Sequence, residues 1–222
     1  MTLVIKAVTF DLDNTLIDFM SMKRKASNAA ARAMVKTGLK LSVRKAENEL
    51  FKIYVKDIEG HTAFEEFLKK HRAYSEKRLA AAINAYNKTK MKYLKPYPKV
   101  KATLKALRKK GLKLGIITDA PRLNAWKRLD ALGIADYFDI VVGLEDTGRK
   151  KPSKIPFKKA LKELRMKPEE VLHVGDWPER DIKGAKKLGM KTCLAKYGGD
   201  TGRYIKPDYE IERVEELVDI IN

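Results

Sequence analysis

Cysteine is almost missing from the 222 residues: Cys193 is the only one, so no intramolecular disulfide can form and stability has to come from a packed core. Histidine is scarce as well, at positions 61, 71 and 173, and no Cys/His grouping of the kind that holds zinc is present. No apolar run reaches the length of a membrane span. The chain passes from Met1 straight into an apolar stretch over 3–10, with no basic leader or small-residue cleavage pattern. Internal repeats and low-complexity tracts are absent. These absences lead to the expectation of a soluble cytoplasmic protein with one α/β core and a sizeable insertion, or two small domains sharing a cleft.

Positive charge is abundant. Lys and Arg number 48 against 29 Asp and Glu, a net charge of +19. Such a balance fits a nucleic-acid binder, an enzyme for anionic substrates, or a heavily solvated surface. The basic residues are spread over almost every expected helix rather than gathered in one arm, which favours solvated faces and argues against a specific nucleic-acid partner.

The apolar, β-rich run over 3–10 reads as a buried strand ending at acidic residues. From about Met20 to Tyr93 the pattern is purely helical, with helices expected over 26–35, 45–55, 63–72 and 77–92. After Pro96 and Pro98 the chain alternates. Helices are expected over 100–110, 122–132, 156–164, 181–188 and 213–221, and strands over 112–118, 138–142, 171–174, 191–195 and, at an edge, 209–211. Strand, helix, strand implies a parallel sheet, and Gly111, Gly133 and Gly189 stand where helix C-caps belong. The expected domains are a core of 1–16 with 97–222 and a helical insertion of 17–96. In open parallel sheets the loops after the strands carry the chemistry.

Those loops hold the informative residues. The first strand ends in Asp11-Leu-Asp13-Asn-Thr15, two carboxylates in one turn, where one can attack while the other shuttles a proton; alone, the string equally describes a capped helix start. The next strand ends in Thr118-Asp119-Ala120-Pro121, a hydroxyl beside a helix N-terminus that can cradle a phosphate or simply cap the helix. In Gly148-Arg-Lys-Lys151-Pro152 a lysine, Lys150 or Lys151, offers a compact cation to a phosphoryl group. A later strand runs into Gly175-Asp176, with Asp181 five residues beyond Asp176; a carboxylate at the end of a buried strand is costly without a partner.

In this order the four segments resemble the signature of the haloacid dehalogenase superfamily: D-x-D-x-T, a strand-terminal Thr, a Lys-Pro loop and G-D-x-x-x-x-D. The helical stretch matches that family's subgroup with a cap inserted after the first motif. The resemblance implies a three-layer Rossmann-like parallel-sheet core with a smaller α-helical cap. It implies Asp11 as nucleophile, Asp13 as general acid and base, Thr118, Asp119 and Lys151 as phosphate-binding residues, and Asp181 as an outer acidic partner. It also implies Mg2+ held by Asp11, Asp13 through its carbonyl, and Asp176.

The activity implied is magnesium-dependent hydrolysis of a small phosphorylated metabolite through an aspartyl phosphate. A phosphomutase shares all these residues. A 2-haloacid dehalogenase of this family lacks an acid at the position of Asp13, and a receiver-type signalling domain lacks the helical insertion; a basic binding module is the non-enzymatic alternative. The cap is expected to close about hinges near 17–20 and 94–98. Lys23, Arg24 and Lys25 read as a solvated helix face, and His173 and Trp177 as packed side chains.

Overall fold

The computed structural model describes residues 4–56, 62–199 and 202–221; Leu3 of the expected first strand and His61 lie outside them. The chain divides into two compact units, Met1–Asp18 with Lys95–Asn222, and Phe19–Leu94.

The first unit is built on six parallel strands, β1 (Ala7–Phe10), β2 (Lys113–Ile117), β3 (Ile140–Val142), β4 (Val171–Gly175), β5 (Lys191–Ala195) and β6 (Tyr209–Ile211), in the order β3-β2-β1-β4-β5-β6. This is an α/β, Rossmann-like fold. Strand β1 is shorter than its apolar run, because pairing begins only at Lys6, whose amide donates to the Glu170 carbonyl at 2.8 Å, while Val4 is exposed. Helices α5 (Val100–Lys109), α6 (Arg122–Ala131), α7 (Lys154–Leu164), α8 (Lys183–Lys186) and α9 (Leu217–Ile220) complete the unit. Two expected helices are less regular than their patterns suggest. A wide π-type turn, Pro178–Ile182, precedes α8, and a tight turn, Val214–Glu216, precedes α9. Pro178 stands at the first position of the wide turn, where no amide is needed.

Register determines which residues share a face. Ala7 pairs with Lys113 and Val171, and Gly115 and Ile117 pair with Ile140 and Val142, so these residues line one side of the sheet. On that side Ala7, Ile117, Val142 and Val171 pack with Phe157, Ala160, Leu161 and Leu164 of α7 and Ala185 of α8. Right-handed crossovers put α5 and α6 on the opposite side. The strand order reverses between β1 and β4, and in such sheets the crevice beyond the carboxyl ends at that reversal is where ligands bind. Asp11 follows β1 there, and Asp176 follows β4.

Beside the crevice the chain leaves and re-enters this unit as a paired ribbon: the Asp18 amide donates to the Lys95 carbonyl at 3.3 Å and the Tyr97 amide to the Leu16 carbonyl at 3.0 Å. The Tyr197 hydroxyl donates to the Thr15 carbonyl at 2.8 Å, and its ring meets the Tyr97 ring edge-on at 4.9 Å.

The described residues of the second unit form four helices, α1 (Phe19–Lys36), α2 (Val43–Lys56), α3 (Ala63–Lys70) and α4 (Glu76–Tyr93). Its apolar stripes converge on Met34, Leu50, Phe64, Phe67, Leu68 and Tyr86. Ser75 caps α4, its hydroxyl accepting from the Arg78 amide. Lys23 departs from the expected solvated face. It is 8% exposed, with Nζ 5.3 Å from the Phe19 ring centre and 5.6 Å from that of Tyr86, a cation seated between aromatic faces, while Arg24 and Lys25 are exposed. Among the described residues no helix is long and apolar enough to cross a membrane.

Phe67 is fully buried in the core of the helical unit. Phe67→Ala is expected to cost about 3–5 kcal/mol, read as loss of helical circular dichroism at lower urea than in the parent; an unchanged midpoint would contradict this core.

Candidate active site

The turn after β1 carries Asp11 and Asp13 and is closed by its own backbone. The Asn14 amide donates to the Ile17 carbonyl at 2.7 Å, and the Leu16 and Ile17 amides donate to the Leu12 carbonyl at 3.0 and 3.2 Å. Asn14 takes a positive φ of 62°, a conformation that asparagine tolerates better than most residues. The Asp11 amide still bonds the Val174 carbonyl at 2.8 Å, so Asp11 continues the strand and is held as rigidly as the sheet.

Lys151 reaches this residue from the loop before α7. Its Nζ lies 2.5 Å from Asp11 Oδ1 and 2.6 Å from Asp181 Oδ1, and all three side chains are buried. Burial works against the lysine's charge, but Asp11, Asp181 and Asp119 outweigh it and hold the ammonium protonated above the usual lysine range. Among the described residues, Asp11, Asp176 and Asp181 each offer a carboxylate oxygen within 4.8 Å of the others. Burial and the crowding of negative charge push Asp11 well above the ordinary carboxylate range despite Lys151. Burial, then the charge of Asp181, pushes Asp176 up to about 7. Burial pulls Asp181 the same way, yet Lys151 and His173 overcome it and bring the group down to about 2. This surplus of buried negative charge suits a hard divalent cation such as Mg2+.

Asp119 and Thr118 follow β2. The Asp119 carboxylate accepts from the Lys151 amide at 2.9 Å and faces Arg180 Nη1 at 3.4 Å, so it ties the lysine loop to the turn after β4. The Arg180 guanidinium stacks 3.8 Å over the half-buried Trp177 ring. The Thr118 hydroxyl accepts from the Ala120 amide at 3.1 Å and is buried at the strand end. Thr15 donates to Asp176 at 3.4 Å, joining the turn after β1 to that after β4.

The structure therefore brings Asp11, Lys151, Asp176 and Asp181 together. Asp181, rather than the Asp13 carboxylate, completes the acidic group; Asp13 Oδ2 pairs with Arg128 Nη1 at 2.7 Å. Arg128 was not legible as a site residue. Its one signal is a basic residue on the buried stripe of α6 beside Ala125 and Leu129. Two glycines make room for the acids: a Cβ on Gly175 would lie 2.4 Å from Asp181 Cγ, and one on Gly198 would lie 2.4 Å from Asp176 Cβ and 2.2 Å from the Asn14 carbonyl oxygen.

Against known proteins, residues 8–195 match the sequence profile described as haloacid dehalogenase-like hydrolase. The glyceraldehyde 3-phosphate phosphatase of Methanopyrus kandleri is 38% identical, across 98% of this chain and 97% of its own length. The phosphoglycolate phosphatase of Aquifex aeolicus is 33% identical over the same shares of the two chains. Among solved structures, a HAD phosphatase from Thermococcus onnurineus superposes with a TM-score of 0.69 and 29% identity, covering 97% of each chain.

The raised carboxyl of Asp176 makes a pH prediction for the metal-free protein. A carboxylate whose folded value is about 7 against an ordinary 3.8 contributes stability that is full below 3.8 and is lost as pH rises through 7. Asp181 acts in the opposite sense, but only below 3.8, since its folded value is about 2. His173, whose pKa burial lowers, adds stability as pH rises to 6.5, so the Asp176 contribution is read as a difference: in chelator, Asp176→Asn is expected to gain melting temperature relative to the parent from pH 5 to pH 8. A difference between the two proteins that stays constant over this range would contradict the assignment.

Proposed function

We propose that this chain, which belongs to the haloacid dehalogenase-like hydrolase family and is a phosphohydrolase, hydrolyses a two- or three-carbon phosphomonoester through an aspartyl phosphate on Asp11. The Lys151 ammonium 2.5 Å from Asp11, at the carboxyl end of a central parallel strand, is the observation that carries this reading. Phosphoryl transfer asks for positioning and charge neutralisation more than for bond-making power. A strand-anchored carboxylate with a buried cation against it meets both needs.

Asp11 and Asp176 would hold Mg2+ together with the Asp13 carbonyl, while Asp181, engaged by Lys151, stands behind them. The ion would supply the positive charge that lets these carboxylates ionise and that neutralises phosphoryl oxygens. Asp11 attacks phosphorus as the leaving oxygen departs, and Asp13 protonates that oxygen. Asp13 then takes a proton from the water that hydrolyses the aspartyl phosphate. Lys151 and the Thr118 hydroxyl bind the transferring group's oxygens. Asp119 contributes through its hold on the Lys151 amide, since a carboxylate repels phosphate. The substrate class follows from the relatives, which act on glyceraldehyde 3-phosphate and phosphoglycolate.

Phosphate release from a panel containing both compounds tests the reaction. Release is expected with magnesium, and chelator or Asp11→Asn is expected to lower it by about a thousandfold or more; an Asp11→Asn enzyme of parental activity would overturn the nucleophile assignment. Asp13→Asn separates the proton donor from a structural role. Its kcat/KM is expected to drop about a hundredfold for an alkyl phosphate, whose leaving group needs the proton, and less than about tenfold for p-nitrophenyl phosphate. Equal losses on both would count against Asp13 as the acid.

A further inference from the structure

We infer that His173 and Thr9 are positioning residues of the active site, which hold the Asp181 carboxylate and, through it, the Lys151 ammonium against Asp11. The part played by Lys151 is that of the proposed reaction; what holds it is a matter of packing and hydrogen bonding.

His173 is fully buried near the centre of the sheet, on the face that otherwise packs Ala7, Val171, Ile117 and Val142 against Phe157. The Phe157 ring meets the imidazole edge-on at 5.0 Å. An aliphatic side chain would fill such a position without the desolvation cost of an imidazole. Both ring nitrogens have partners. The β1–β4 register sets Thr9 directly beside His173, and Thr9 Oγ1 lies 3.0 Å from Nδ1. On the other side Nε2 faces Asp181 Oδ1 at 3.4 Å.

The roles of donor and acceptor follow from chemistry. Burial lowers the histidine's pKa, so the ring is neutral and carries one N–H. A carboxylate only accepts, so Nε2 carries the proton toward Asp181 and Nδ1 accepts from the Thr9 hydroxyl. Asp181 Oδ1 thus receives both His173 and Lys151, the latter at 2.6 Å, while Oδ2 accepts from the Trp177 amide at 3.1 Å. With donors on both oxygens the carboxylate has one orientation. A lysine otherwise swings on a four-carbon stem; here Nζ is held between Asp181 and Asp11.

The surrounding glycines serve the same arrangement. Gly175 leaves the volume that Asp181 fills, and a Cβ on Gly184 would stand 2.3 Å from Phe157 Cε2, the ring that covers His173. A continuous buried chain runs Thr9, His173, Asp181, Lys151, Asp11.

Thr9→Val and His173→Leu keep the volume and remove the polar atoms, and His173→Gln restores an N–H near the position of Nε2. In the phosphate-release assay Thr9→Val and His173→Leu are expected to lower kcat about 10- to 100-fold, the range seen when supporting partners of site ligands are removed. KM should stay within about threefold and the melting temperature should not fall, and His173→Gln should recover most of kcat. Side chains that merely pack leave kcat parental in the folded variants whatever their melting temperatures, and that result overturns the inference. If the parent protein releases no phosphate, the proposed reaction fails, and spectra of protein carrying 15N-histidine decide the inference separately. A neutral Nε2–H ring at His173, shifted by both Asp181→Asn and Thr9→Val, supports it; an Nδ1–H ring, or one indifferent to both changes, refutes it.

Discussion

A protonated lysine with almost no access to water is the constraint on which the rest of this active site depends. Lys151 is 5% exposed, and an ammonium in such a place survives only if carboxylates take over the role of solvent. Asp11 and Asp181 do so on two sides, and Asp119 fixes the backbone from which the side chain starts. Burial, together with more negative charge than one lysine can balance once Asp176 is added, pushes two of these carboxyls up rather than down. That surplus of buried negative charge is what a divalent cation would neutralise.

Sheet topology makes the arrangement possible. Because the strand order reverses at β1 and β4, their carboxyl ends stand side by side with no crossover connection over them, and Asp11 and Asp176 emerge next to each other. The loops before α7 and α8 lie on the same side of the sheet as Thr9 and His173, so Lys151 and Asp181 reach the crevice from one flank. Arg128 of α6 reaches Asp13 from the helices on the other. Each half of the proposed chemistry, charge neutralisation and proton transfer, is therefore supported by a different layer of the fold.

The strong positive charge of the chain has a local counterpart in the site and a larger, unrelated one on the surface. Most basic side chains are exposed on helices, as their even spread suggests, and enzymatic relatives across nearly the whole length set aside a purely basic binding module. Lys23 shows how far an individual side chain can depart from the pattern, since the Phe19 and Tyr86 rings replace water around its charge.

Much of this is legible in the linear order of residues. Alternation of apolar strands with helices reports a parallel sheet whatever the packing, and polar residues gathered directly after those strands mark its active end, so Asp11, Thr118 and Asp176 are marked by position and Lys151 by its resemblance to the family's Lys-Pro loop. Edges are less legible: an apolar run such as 3–10 continues past the point where a neighbouring strand exists to pair with it, and only the sheet decides where β1 begins. Partnership is not legible at all. Nothing in the spacing says that Arg128 meets Asp13, that Asp119 holds an amide, or that His173 is more than a packed ring, because those contacts join segments up to 164 residues apart. Amino-acid order sets which groups stand at the ends of strands. Tertiary packing chooses which of them touch, and in a buried site the pairing of charges, rather than their presence, sets what each group can do.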